Sequence, residues 1–125
     1  MTNTARILVV DDEEIVRLSH LRTLSSEHCK VEAVWNGRDA LQAMGQQAYD
    51  LVLLDLALGD DDGFAVLGDL RQGHPTLPVV VVSATERHSD VLRAVDMGAM
   101  GFVPKRTSNR ELVGALGMVM AGGVY

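Results

Sequence analysis

Four consecutive apolar residues, Leu51-Val52-Leu53-Leu54, run straight into an acid, Asp55, and then into a loop ending Gly59-Asp60-Asp61-Asp62-Gly63. A continuous apolar run of strand length is the pattern of a strand buried on both faces of a parallel sheet. An ionised carboxylate is costly to bury unpaired, which puts Asp55 at the end of that strand, where the backbone leaves the core. Open α/β sheets place their ligands at such carboxyl ends. A single acid in this position also begins many ordinary polar loops, so its meaning depends on the rest of the chain.

The same pattern recurs. Arg6-Ile7-Leu8-Val9-Val10 ends on Asp11 and Asp12, Pro78-Val79-Val80-Val81-Val82 ends on Ser83, and Met100-Gly101-Phe102-Val103 is closed by Pro104 and followed by Lys105. Residues 30–35 alternate more loosely, with Val31, Ala33 and Trp35 on one parity, as a strand nearer a sheet edge does. Between the strands lie helical patterns. Residues 13–26 carry Ile15, Leu18, Leu21 and Leu24 at helical spacing, which predicts that this stripe faces the core. Asn36 is placed to cap a helix through residue 47 that buries Ala40, Leu41 and Met44. A third helix has Phe64, Leu67 and Leu70 inward and stops at Gly73-His74-Pro75; a fourth, over residues 86–97, has Val91, Leu92 and Val95 inward and stops at Gly98. The last opens with Ser108 and Glu111 at capping-box spacing and continues through Leu112, Leu116 and Val119 to Gly122-Gly123.

Five strands alternating with five helices imply right-handed crossovers and a parallel sheet covered on both faces. The expected fold class is α/β, a flavodoxin-like, doubly wound sheet of strand order 2-1-3-4-5. In that order the first, third, fourth and fifth strands are neighbours. Asp11, Asp12, Asp55, Ser83 and Lys105 therefore converge at one carboxyl edge by topology, although they are far apart in sequence.

Composition sets limits on function. A chain of 125 residues is a single domain with one sizeable core. Its net charge of -6 argues against this segment gripping a nucleic-acid backbone or an anionic membrane. One cysteine, Cys29, excludes an internal disulfide and reads as a small residue near a strand start; the four histidines show no zinc-ligand spacing. Residues 1–5 lack a signal-peptide core and no apolar run reaches membrane-spanning length, so a cytoplasmic location with no membrane partner is expected.

Three carboxylates crowded together repel one another unless a cation shares them. Magnesium suits the set better than calcium, because it accepts one or two carboxylates with waters and phosphate oxygens. Asp60-Asp61-Asp62-Gly63 lacks the alternating ligands of a calcium loop and reads as a solvated turn. Acids, a hydroxyl and a lysine around such an ion make a phosphoryl-transfer site, in which one carboxylate can act as nucleophile and form an acyl phosphate. Asp55 suits that role because it stands alone on its strand, whereas Asp11 and Asp12 are adjacent and suited to sharing a metal.

Ile7-Leu8-Val9-Val10-Asp11-Asp12, Asp55-Leu56 with Leu58 and Asp62-Gly63, Val82-Ser83-Ala84, and Gly98-Ala99 with Gly101-Phe102-Val103-Pro104-Lys105 resemble the receiver domain of bacterial two-component response regulators. The resemblance spans essentially the whole chain. It implies that Asp55 accepts phosphate from a sensor histidine kinase. It further implies that Asp12 and Asp55 bind Mg²⁺ with the backbone carbonyl of Ala57, with Asp11 acting mostly through a bound water. By the same matching Ser83 takes the family's switch-hydroxyl position, Phe102 its aromatic position and Lys105 its lysine. A phosphoryl group adds about one to two charges and new acceptor oxygens. Ser83 then turns toward it, Phe102 takes the vacated space, and the surface of the fourth helix, fifth strand and fifth helix changes.

Two departures stand out. Gly59 occupies a position where proline is common in the family, which implies a looser loop, and Arg106 follows Lys105 where many relatives have proline. Ala57 cannot orient an attacking water through its side chain, and Thr85 occupies the matching position after Ser83. A phosphatase or phosphotransferase acting on small substrates is the alternative class, but Ala57 stands where aspartate-based phosphohydrolases carry a second acid. That favours a switch catalysing only its own phosphorylation and dephosphorylation over an enzyme; an interaction domain that merely retains the site is a third alternative. The ending through residue 125 is similar to the exit of receivers in the NarL/LuxR class, where a helix-turn-helix domain follows. Residues 1–125 are accordingly expected to be one receiver domain, contacting DNA only through a further C-terminal domain. Two faces are open for a phosphorylation-dependent homodimer, that of the fourth and fifth helices and that of the first and fifth.

Overall fold

A computed structural model describes residues 5–26, 28–84 and 87–123. The five apolar runs form one parallel sheet from β1 (Ala5–Val10), β2 (Cys29–Val34), β3 (Leu51–Asp55), β6 (Val79–Ser83) and β7 (Gly101–Pro104), in the spatial order β2-β1-β3-β6-β7. This is the expected 2-1-3-4-5 order. The numbering differs only because two two-residue strands, β4 (Ala57–Leu58) and β5 (Asp61–Asp62), close the loop after β3 as a small antiparallel hairpin.

Parity along each strand assigns its residues to two cores. Leu8, Val10, Val52, Leu54, Val79 and Val81 point to the layer formed by α2 (Gly37–Gln46), α3 (Gly63–Gly73) and α4 (His88–Asp96). Their chain neighbours Ile7, Val9, Leu51, Leu53, Val80 and Val82 point to the opposite layer, α1 (Glu14–Leu24) and α5 (Asn109–Met120). The central strands are apolar on both parities because both faces are covered. Strand β2 lies at the edge and is only half-buried, as its looser pattern predicts.

Helix starts follow local chemistry. Asn36 Oδ1 accepts the Asp39 N–H at 2.7 Å, Asp62 Oδ1 accepts the Phe64 N–H at 3.0 Å, and Ser108 Oγ accepts the Glu111 N–H at 3.2 Å. The faces the helices present depart from the apolar pattern in three places. In α1, Ile15 is 82% and Leu18 57% exposed, while the buried residues are His20 and Leu24. Spacing by four puts Val16, His20 and Leu24 on the inner face, and the apolar stripe is offset from it because a histidine occupies the middle of the true one. In α4, Ala94 is the buried residue and Leu92 and Val95 are half exposed, since a methyl side chain lets that helix lie close to the sheet. In α2, Ala40 and Met44 turn inward but Leu41 does not. The expected start of α4 at Glu86 lies outside the described residues, as does Thr85.

Candidate functional site

Each strand that stops at the carboxyl edge delivers one part of the site. Asp55 is the last residue of β3, in register with Val82, and the chain leaves the core one residue later. The carboxylate is 1% exposed; its Oδ1 accepts the Ala57 N–H at 3.0 Å, a turn that aims Oδ2 away from the backbone. Asp11 follows β1 and is equally buried, with Oδ1 accepting the Glu13 N–H at 2.9 Å. Asp12 is exposed and reaches toward the hairpin tip at Gly59. Ser83 ends β6 and is buried; its carbonyl accepts the Lys105 N–H at 2.8 Å, which extends the β6–β7 ladder one residue and fixes the root of that lysine. The Lys105 ammonium then lies 2.9 Å from Asp55 Oδ2 and 3.6 Å from Asp11 Oδ2, and it also pairs with Glu13. Lys105 and Asp55 thus share one rim, together with Asp11 and Asp12.

Glu13 was not among the residues singled out from the sequence. It sits at the cap position of α1 but makes no side-chain capping bond, turning instead to Lys105. Its place two residues after Asp11 was the available signal. Four carboxylates, those of Asp11, Asp12, Glu13 and Asp55, present oxygens within 4.8 Å of one another.

The electrostatics follow from this crowding. Burial pushes Asp11 up to about 6, with the Glu13 N–H opposing and the Asp55 charge reinforcing the rise. For Lys105, burial alone favours the neutral amine, but the bond to Glu13 and the charges of Asp55 and Asp11 outweigh it and hold the ammonium above its ordinary range. Asp11 Oδ2 and Asp55 Oδ2 are both buried and take no backbone hydrogen bond; the group that faces them is the Lys105 ammonium. Together with the oxygens of Asp12 and Glu13, these two are the donor type that a hard divalent cation takes. Ala57, exposed on β4, has its backbone at the same edge. Phe102 lies on β7, half-buried against the α2–α3–α4 core.

The loop after Asp55 closes as a hairpin. Gly59 has φ +64° in the two-residue turn of the β4–β5 hairpin, a conformation closed to proline and favourable to glycine. The acidic triplet is not simply solvated: Asp61 Oδ2 accepts the Gly37 N–H at 2.8 Å, tying the hairpin to the start of α2, while Asp62 caps α3. Gly63 is fixed by close approach, since a Cβ there would collide with the Leu56 carbonyl.

A doubly wound α/β domain with an acid-and-lysine cup at its carboxyl edge is the class that fold and site define. The chain belongs to the response regulator receiver domain family, whose description matches residues 7–117. It is 38% identical over 114 residues to a protein-glutamate methylesterase/protein-glutamine glutaminase of Rhodospirillum centenum, covering 88% of this chain and 29% of that protein. It is 37% identical over 108 residues to the response regulator MprA of Mycolicibacterium vanbaalenii, covering 86% and 47% respectively. The chain thus spans less than half the length of these relatives. Among solved structures, a LuxR-family two-component response regulator from Aurantimonas sp. SI85-9A1 matches with a TM-score of 0.90 at 28% identity, over 98% of this chain and 89% of that one. A CheY-like receiver protein from Methanospirillum hungatei shares the fold with a TM-score of 0.90 at 22% identity, over 96% of each chain. Among the described residues no helix is long and apolar enough to cross a membrane.

Proposed function

We propose that this receiver domain is a phosphorylation-controlled switch in which Asp55 accepts a phosphoryl group from a sensor histidine kinase. The observation that supports this most is the Lys105 ammonium 2.9 Å from Asp55 Oδ2, at a buried strand end beside two further acids. The Asp55 carboxylate attacks phosphorus, an O–P bond forms, and the P–N bond to the donor imidazole breaks; the imidazole leaves with the bonding pair and takes up a proton. Lys105 offsets charge on the phosphoryl oxygens, and the Ser83 hydroxyl donates a hydrogen bond to one of them. Asp11, Asp12 and Asp55, with the Ala57 carbonyl, are the residues that would hold Mg²⁺. Bound there, the ion supplies neutralisation of charge on the transferring group.

Ser83 moves toward the new phosphoryl group and Phe102 follows it, which changes the face of α4, β7 and α5. The domain catalyses only its own phosphorylation and dephosphorylation. Its output is transcriptional, through a DNA-binding domain outside residues 1–125, with a phosphorylation-dependent homodimer as a means of control, in the cytoplasm. Relatives named a response regulator and a transcriptional regulatory protein support that output.

The test is to incubate the protein with Mg²⁺ and acetyl phosphate and weigh it intact beside Asp55→Asn. One phosphoryl adduct in the native chain, absent from the variant and when the ion is chelated, is the expected result. An adduct that survives in Asp55→Asn, or rapid turnover of many phosphomonoesters without an adduct, would overturn it.

A further inference from the structure

We propose that Arg17 and Trp35 form a clamp that fixes the acidic turn after β1 and so sets how tightly the cup of Asp11, Asp12 and Asp55 holds a divalent cation. The inference rests on the reading of that cup as a cation site, and adds two residues that touch neither ion nor phosphate.

Asp11 is held through its backbone on both sides. Its N–H donates to the Val34 carbonyl at 3.1 Å, and its own carbonyl accepts from Arg17 Nη1 at 2.9 Å. Arg17 in turn lies over the indole of Trp35, 5.0 Å from the ring centroid. Because Trp35 directly follows Val34, the strand end that fixes the Asp11 N–H also carries the ring that fixes the arginine on its carbonyl. The ends of β1 and β2 and the second turn of α1 are thereby closed into one loop.

Three features make this a positioning device and not general packing. First, Trp35 is 57% exposed and lies just beyond β2, so its ring contributes little to either core. Strand parity places it with the half-buried Val31 and Ala33, yet it stands outside the strand and over the guanidinium. Second, a guanidinium can pair bidentately with a carboxylate. Arg17 instead bonds the Asp11 carbonyl, and Asp11 Oδ2 faces only the Lys105 ammonium, at 3.6 Å. The cation therefore orients the turn without occupying its ligand atom. Third, Asp11 Oδ1 is anchored within the turn itself by the Glu13 N–H at 2.9 Å, so the position of the turn decides where Oδ2 points. A stacked arginine is ordered before the ion arrives, and a preordered ligand set binds more tightly because less freedom is lost on binding.

Trp35 is the single tryptophan of the chain, so its emission reports on this turn alone. The experiment titrates Mg²⁺ alone into the native chain and into Arg17→Met, Trp35→Ala and Trp35→Tyr. Affinity is read by calorimetry, with Trp35 emission followed in parallel where the tryptophan is present and thermal unfolding recorded in chelator. The native chain should bind with a change in emission. Arg17→Met and Trp35→Ala should each weaken Mg²⁺ by roughly tenfold, the lower end of what supports to metal ligands contribute. Trp35→Tyr, which keeps a ring under the guanidinium, should stay within about twofold, and the double variant should be no worse than the poorer single one. Trp35→Ala is an exposed change and keeps the test open should Arg17→Met fold poorly. Native affinity in both Arg17→Met and Trp35→Ala would overturn the clamp and leave the cup intact. Lost affinity that merely tracks partial unfolding in chelator would also overturn it. No Mg²⁺ binding by the native chain would overturn the cup, and the clamp with it.

Discussion

Tyr49 and Glu32 illustrate how much one residue contact can hold at a sheet edge. The Tyr49 hydroxyl donates to Glu32 Oε2 at 2.6 Å, and Arg6 Nη1 pairs with Glu32 Oε1 at 2.8 Å, tying β1 and the turn two residues before β3 to the edge strand. The Tyr49 bond is the largest influence holding the Glu32 carboxyl below its usual range, while burial and Glu32 together push Tyr49 up to about 12. A carboxyl depressed in the fold contributes stability above its unfolded value that is lost as pH falls through the folded one. Tyr49→Phe should therefore cost about 1 kcal/mol at pH 7, reduced from a fully buried charged bond because Glu32 is partly exposed, and the gap should close in acid; urea melts of both proteins across pH measure it. Gly63 sets a different limit. Since a Cβ there meets the Leu56 backbone, which cannot rotate aside as a side chain can, Gly63→Ala should lower stability by about 3 kcal/mol in the same assay.

At the scale of elements, α1 shows how a helix can be legible while its orientation is not. The inner face runs through Val16, His20 and Leu24, and Ile15 and Leu18 lie outside. Leu24→Ala should accordingly cost about 2–3 kcal/mol, whereas Leu18→Ala should stay within about 0.5 kcal/mol by thermal or chemical denaturation. The apolar stripe read directly from the sequence predicts equal costs, so the pair of variants separates the two faces. His20 adds a pH signature to the same helix. Its Nδ1 is buried without a partner, and burial, with the Lys105 charge, lowers its pKa. With the histidine held neutral in the fold and charged when unfolded, stability falls as pH drops through about 6.5, the unfolded value. His20→Leu should flatten that part of the pH profile.

For the whole molecule, the acidic cup is a cost carried by the fold. Asp11 is raised to about 6 from an ordinary value near 3.8, so its stabilising protonated form is present in acid and lost as pH rises through about 6. Without divalent ions, native protein should lose stability between about pH 4 and 6 relative to Asp11→Asn, and the variant should be about 1–2 kcal/mol more stable at pH 7. Added Mg²⁺ should narrow that difference, a result calorimetry or chemical denaturation with and without chelator would show. The order of the sheet and the meeting of Asp11, Asp12, Asp55, Ser83 and Lys105 at one edge were legible from the chain alone. Continuous apolar runs specify strands buried on both sides, right-handed crossovers restrict their order, and a residue that ends such a strand has only one edge at which to emerge. What the tertiary structure decided were the surfaces that meet across that frame. His20 and Ala94 turned inward, Leu18, Leu41 and Leu92 turned out, Glu13 joined Lys105, Asp61 reached the start of α2, and Arg17 stacked on Trp35. A helix covers its sheet with whichever face fits the relief beneath it, and a side-chain bond forms with whatever the fold brings within about 3 Å; neither shape nor distance is written in the period of a sequence.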